Sequence, residues 1–146
     1  SDHSPCTPHL KHIDAGDLQK AWGGISSLQF GLPTIWTQAQ EQNIDLCQVS
    51  EWMSGNPAKF LGLADRKGKI AVGYDADIVA FSPDKEFVVN QSIIQHKHKV
   101  TPHEGRALKG VVERTYVRGR LVYEQGKHTI NPSGEQLLRQ KVQGKA

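Results

Sequence analysis

The hydrophobic period of this chain changes once, and that change constrains its fold more than any other feature. Before residue 66 the apolar residues recur at helical spacing. After Gly68 they gather in β-branched runs bounded by Gly, Pro and Asp. Helices followed by strands predict an α/β chain made of two blocks, 1–66 and 67–146. The length of 146 residues suits about one domain and falls short of the roughly 250 residues of a complete (β/α)8 barrel. The chain opens on Ser1, its single Met is Met53, and it reads as the inside of something longer.

The first 24 residues are dense in Pro, Gly, His and Asp, and Pro5 and Pro8 block a helix there. Ile25, Leu28, Leu32, Ile35, Trp36 and Ala39 then form one apolar stripe, with Ser26 as its cap and Pro33 bending the early turns. Asp45 with Gln48 three residues later is a capping-box pattern. It opens a second helix that packs Val49, Trp52 and Met53 and stops at Gly55. Asn56-Pro57 opens a third, with Phe60, Leu61 and Leu63 as its packing face. Residues 69–83 and 86–89 read as strands joined by a turn at Ser82-Pro83-Asp84-Lys85. Residues 90–110 read as a long loop, and 111–126 as two strands meeting at Arg118-Gly119. In the tail, Leu137, Leu138 and Val142 offer one weak amphipathic turn or two.

Composition excludes several classes. The net charge of +3 comes from mixed acidic and basic residues, without the basic stripe of a nucleic-acid module. No run approaches the roughly 18 apolar residues of a membrane span. Two cysteines, Cys6 and Cys47, cannot form a disulfide scaffold and read as reduced thiols of an intracellular, most simply cytoplasmic, protein.

Few residues offer chemistry. Asp2, in Asp-His-Ser-Pro, has two readings: a hard metal ligand and proton acceptor, or a turn residue capping local amides. Among the seven histidines, His96 and His98 form a His-x-His and His9 and His12 stand three apart. The lysine-rich flanks of the first pair favour a solvated loop over a metal site. No nucleophile elbow and no phosphate-binding glycine loop is present, although Trp22-Gly23-Gly24 precedes a helix.

Six strings occur in a telling order: SDHSPC at 1–6, KAWGGI at 20–25, AKFLGL at 58–63, GKIAVGYDADIV at 68–79, HKVTP at 98–102 and TYVRG at 115–119. Together they make nearly the whole chain resemble the C-terminal part of the cyclic amidohydrolases, nearest to their allantoinase branch. The GYDADIV and TYVRG elements mark the wider superfamily, and SDHSPC with AWGGI narrows it. The resemblance implies the end of a metal-dependent (β/α)8 barrel in residues 1–66, with the final helices at 17–66. Residues 67–146 would then hold strands of a small β domain and the tail. It implies a binuclear zinc (or related) centre whose activated hydroxide opens the cyclic amide of allantoin, a small-molecule substrate. In that match Asp2 binds a metal and shuttles the proton, Ser4 hydrogen-bonds the ring and Trp22 lines the pocket. The other metal ligands of the family precede the Asp, and His96-x-His98 lies on the wrong side of it. The same resemblance implies a homo-oligomer, a tetramer by likeness, and a chain that is inactive alone. Alternatives are a hydantoinase or dihydropyrimidinase relative, an inactive amidohydrolase-like scaffold, and a non-catalytic module that binds a partner through residues 96–103 or the tail. Relatives of the dihydropyrimidinase type place Asn at the position of Gly23.

Overall fold

The computed structural model describes residues 1–129 and 131–138. The chain divides into two compact units, one of residues 1–38 and 83–111, the other built on 39–82 and the described residues from 112 onward. Three helices, α1 (Gly31–Glu41), α2 (Leu46–Ser50) and α3 (Asn56–Phe60), precede four strands, β1 (Ile78–Val88), β2 (Ala107–Val117), β3 (Arg120–Glu124) and β4 (Lys127–His128). The strands form one sheet in the order β1-β2-β3-β4, with β3 antiparallel to both β2 and β4. This is the α/β arrangement expected from the change of period.

In the first unit, α1 starts later than the apolar stripe suggests. Residues 25–27 are not helical: Ile25 makes a parallel bridge to His3, and a 3₁₀ turn, Leu28–Phe30, leads into Gly31. Ser26 is buried and caps nothing; its carbonyl accepts from the Thr101 hydroxyl at 2.7 Å. Because the helical phase begins at Gly31, the inward face is Phe30, Pro33, Trp36 and Ala39, and Ile25, Leu28 and Ile35 stay exposed. Phe30, Val89, Ile94 and Leu108 form the core, with Phe87 and Ile93 packed on it. Two core members, Val89 and Ile94, come from outside regular structure, so the long 90–106 loop is a packing element and not a solvated excursion. Trp36 Nε1 donates to the Pro83 carbonyl at 3.0 Å, and Thr37 Oγ1 accepts from the Lys109 amide at 2.9 Å, which ties α1 to both β1 and β2.

Pro83 corrects a second expectation. Residues 82–85 are not a turn; β1 runs straight through them. A proline lacks the amide that a central strand must donate, but β1 is the first strand of the sheet, where one side of the ladder has no partner to feed. The segment 69–77, expected as strand, is instead a series of turns with Ile70 and Val72 exposed.

In the second unit, the Asp45 carboxylate accepts from the Gln48 amide at 2.8 Å, so the cap holds as read. Gly55 does not stop the helix. A π-helical turn, Glu51–Gly55, carries α2 directly into α3, so Asn56-Pro57 continues a helix and does not open one. Val49, Gly55 and Ala58 are buried, whereas Phe60 is 90% exposed and Leu61 is also exposed. The reason lies at Gly68 (φ +91°), whose missing side chain brings the backbone against Ala58 and Gly55 and selects that face. The turn at Arg118-Gly119 has positive φ at both residues (48° and 75°), as a type I′ hairpin requires. A second such turn, Gln125-Gly126, joins β3 to β4. Lys67 bridges Asp75 and Asp77, while Arg66 pairs with Asp75 at 2.8 Å. The Lys67 and Arg66 bonds hold the Asp75 carboxyl below the usual range. Burial pushes Asp77 the other way, but the Lys67 bond and the Arg118 amide outweigh it and leave it low as well. Of the tail expectation, Leu137 and Leu138 are exposed and outside any helix, and Val142 lies outside the described residues.

His103 is buried with its ring edge-on to Phe30, and Arg106 approaches its Nδ1 at 3.4 Å. Burial, then the Arg106 charge, push its pKa below the ordinary value. The folded state therefore binds this proton less readily than the unfolded state. The contribution is complete above the ordinary histidine value of about 6.5 and is lost as pH falls below it. Urea melts at pH 7.5 and pH 5.5 are expected to show a loss of stability in acid that the His103→Gln variant lacks in part; equal losses in both proteins would assign the effect elsewhere.

Candidate functional site

All three residues singled out by the sequence lie in the first unit, around the seam between residues 2–4 and 22–26. His3 bridges Ile25, and the Ser4 amide donates to the Ile25 carbonyl at 2.8 Å. The His3 Nδ1 accepts from the amides of Ser27 (3.1 Å) and Leu28 (3.2 Å) at the start of the 3₁₀ turn. A lone pair on Nδ1 is needed for both bonds, which leaves Nε2 as the protonated nitrogen of the neutral ring.

Asp2 precedes this seam with φ +45°, a left-handed conformation that non-glycine residues adopt rarely and Asp more easily than most. It is exposed, and its backbone carbonyl accepts from the Ser4 hydroxyl at 3.2 Å. Among the described residues nothing bonds its carboxylate, so the turn-capping reading of that side chain is not what the structure shows. An anionic oxygen donor held open in this way suits a divalent metal. No group of three or more His, Cys, Asp or Glu gathers among the described residues. Asp2 stands apart from any such group.

Trp22 is half exposed while its backbone is fixed: its amide donates to the Leu10 carbonyl at 2.8 Å. The two glycines that follow differ. A side chain at Gly24 would collide with the Ser4 Cβ and stand 2.6 Å from the Ser4 carbonyl oxygen and 2.8 Å from the Trp22 indole nitrogen. A side chain at Gly23 would meet nothing within 4 Å. Gly24 is therefore the residue that lets Ser4 and Trp22 converge, and Gly23 opens space beside them.

Among the remaining histidines, His96 corrects the solvated-loop reading. Both its ring nitrogens are buried with no hydrogen-bond partner among the described residues, and its ring stands 5.7 Å from that of His3. Lys11 was missed altogether. Its ammonium donates to the carbonyls of Trp22, at 2.7 Å, and Gly24. A lone lysine in a polar loop carries no sequence signal for bonds to residues 11 and 13 positions away.

Comparison with known proteins extends these observations. A sequence profile described as the amidohydrolase family matches residues 18–122. The chain is 45% identical over 145 residues to a probable allantoinase 2 of Dictyostelium discoideum, covering 95% of this chain and 28% of that protein. It is likewise 45% identical to the allantoinase of Arabidopsis thaliana, covering 94% and 28%. Among solved structures, an L-hydantoinase (dihydropyrimidinase) from Arthrobacter aurescens matches with a TM-score of 0.82 at 31% identity, over 89% of this chain and 29% of the other. A D-hydantoinase matches with a TM-score of 0.80 at 30% identity, over 88% and 28%. The chain thus spans less than a third of the length of the proteins it matches.

The two glycines yield a paired expectation for stability. Gly24→Ala overpacks the seam and is expected to cost about 1–3 kcal/mol. Gly23→Ala, in open space, is expected to be neutral or to stabilise by about 0.4–1 kcal/mol. Denaturant midpoints of the two variants check this, and equal effects would remove Gly24 from its assigned role.

Proposed function

Because this chain belongs to the amidohydrolase family, we propose that it forms the C-terminal part of an allantoinase, which hydrolyses the cyclic amide of allantoin to allantoate. In this reading residues 1–66 belong to the end of the catalytic barrel and residues 67–146 to the strands of a small β domain and the tail. The observation that carries it is the open Asp2 carboxylate, set in a left-handed turn beside Ser4 at the seam that Gly24 makes possible. The higher identity to allantoinases than to hydantoinases favours allantoin over a dihydropyrimidine ring.

A divalent metal pair, zinc by this reading, would supply Lewis acidity when bound, making water a better nucleophile and the ring carbonyl more electrophilic. Asp2 is the residue of this chain that would hold a metal. The same carboxylate takes the proton of the attacking water and returns it to the ring nitrogen as the carbon–nitrogen bond breaks, so that no charge is left on the leaving amide. The Ser4 hydroxyl donates to the Asp2 carbonyl, and its oxygen lone pairs remain available to accept from a ring N–H. The half-exposed Trp22 indole offers an apolar wall that excludes water from the reacting amide.

In the complete enzyme, Asp2→Asn is expected to lower kcat by about 10²–10⁴-fold, the range for a lost general base, and to lower zinc content. Ser4→Ala and Trp22→Ala are expected to act mainly on KM and to leave zinc content intact. An Asp2→Asn enzyme with near-normal turnover and a reduced melting temperature would make Asp2 a turn residue only. The 146-residue chain by itself is expected to leave allantoin unchanged and to bind fewer than two zinc ions. Calorimetric titration showing two stoichiometric zinc ions would contradict the assignment of the remaining ligands to other residues.

A further inference from the structure

We propose that Lys11 is a positioning residue for substrate, acting through the backbone of Trp22-Gly23-Gly24; the inference rests on reading Trp22 as a substrate contact. Lys11 ends the 3₁₀ turn Pro8–Lys11, which His12 terminates in the left-handed conformation (φ 47°). Two of the three donors of its ammonium are used on carbonyls two residues apart, those of Trp22 and Gly24. Gly23 is therefore fastened at both ends. The bond from the Trp22 amide to the Leu10 carbonyl, 2.8 Å, closes the same seam from the backbone side.

Two features set Lys11 apart from an ordinary surface lysine. It forms no ion pair among the described residues, so its charge is directed at neutral carbonyls instead of a carboxylate. The segment it holds contains the two adjacent residues with the greatest backbone freedom in any chain. Without the clamp, Gly23-Gly24 has few restraints of its own, and the Trp22 indole, half exposed, has no fixed position to present. With it, both carbonyls turn toward Lys11, and the indole nitrogen stays beside Gly24. The ammonium itself need touch no substrate atom. Its effect is on how often the binding loop is in the receptive arrangement, which alters apparent affinity by the populated fraction.

The test uses the complete enzyme with Lys11→Met and, as the conservative variant, Lys11→Arg. Kinetics on allantoin, zinc content and amide hydrogen exchange are measured together. Lys11→Met is expected to raise KM about tenfold or more with kcat changed less than about threefold. Zinc content stays at the wild-type level, exchange quickens in residues 20–26 but not in α1, and Lys11→Arg recovers part of the affinity. Unchanged KM and unchanged exchange would overturn the proposal. So would a loss spread over kcat, zinc content and α1 exchange, since that marks a residue needed only for the fold. Where Lys11→Met does not fold, Lys11→Gln, which keeps a neutral donor, is judged by the same criteria. A wild-type enzyme that leaves allantoin intact would sink the functional reading instead. The exchange arm still decides the clamp in that case: quickening confined to residues 20–26 upholds it, and no quickening rejects it.

Discussion

The site depends on one close approach of two backbone segments. Residues 3–4 run beside residue 25, and this is possible only because position 24 has no side chain to hold them apart. From that contact the rest follows. His3 comes within reach of the first amides of the helical segment, and the Ser27 and Leu28 donors, which have no intrahelical acceptor, find its Nδ1. Asp2 is left at the end of the seam, exposed and with a positive φ, and no described residue bonds its carboxylate. A methyl group at position 24 would disturb all of these at once, whereas the neighbouring Gly23 tolerates one.

The second unit solves a different problem, that of keeping a turn-rich segment in place without apolar burial. Residues 66–77 have Ile70 and Val72 exposed, so hydrophobic packing contributes little there. Ion pairs and backbone bonds take its place. Lys67 joins Asp75 to Asp77, Asp77 accepts from the Arg118 amide at 2.9 Å, and Gly119 donates to the Ala76 carbonyl at 2.9 Å. The segment is thereby stitched to the tip of the β2–β3 hairpin. Carboxyls held low in this way contribute stability that is lost as acid protonates them, opposite in chemistry to His103 but equal in sign.

The order of elements was legible in the sequence because it rests on short-range preferences. Asp45 capping the Gln48 amide needs three residues, and the positive φ values at Arg118-Gly119 need two. The GYDADIV and TYVRG strings, far apart in the chain, are joined in the structure by the bond from the Arg118 amide to the Asp77 carboxylate. The Gln125-Gly126 turn gives a weaker signal of the same kind, because Gln at a positive φ is less usual than Asn or Asp. The errors were of longer range. The stripe from Ile25 crosses residues that pair with His3 and so lie outside the helix, and a proline on an outer strand resembles a break until the strand order is known.

The sequence by itself determined the α/β succession, the Asp45 cap, the Arg118-Gly119 turn, and the likeness that singled out Asp2, Ser4 and Trp22. These are properties of neighbouring residues or of whole strings, and they need no third dimension. Only the tertiary structure decided that Gly24 and not Gly23 is sterically obligatory. The same holds for the buried ring nitrogens of His96 beside His3 and for Lys11 reaching the carbonyls of Trp22 and Gly24. Each of these depends on which distant backbone lies within a few ångströms. That is set by how α1 and the 90–106 loop fill the core around Phe30 and Leu108, a packing outcome that no local pattern encodes.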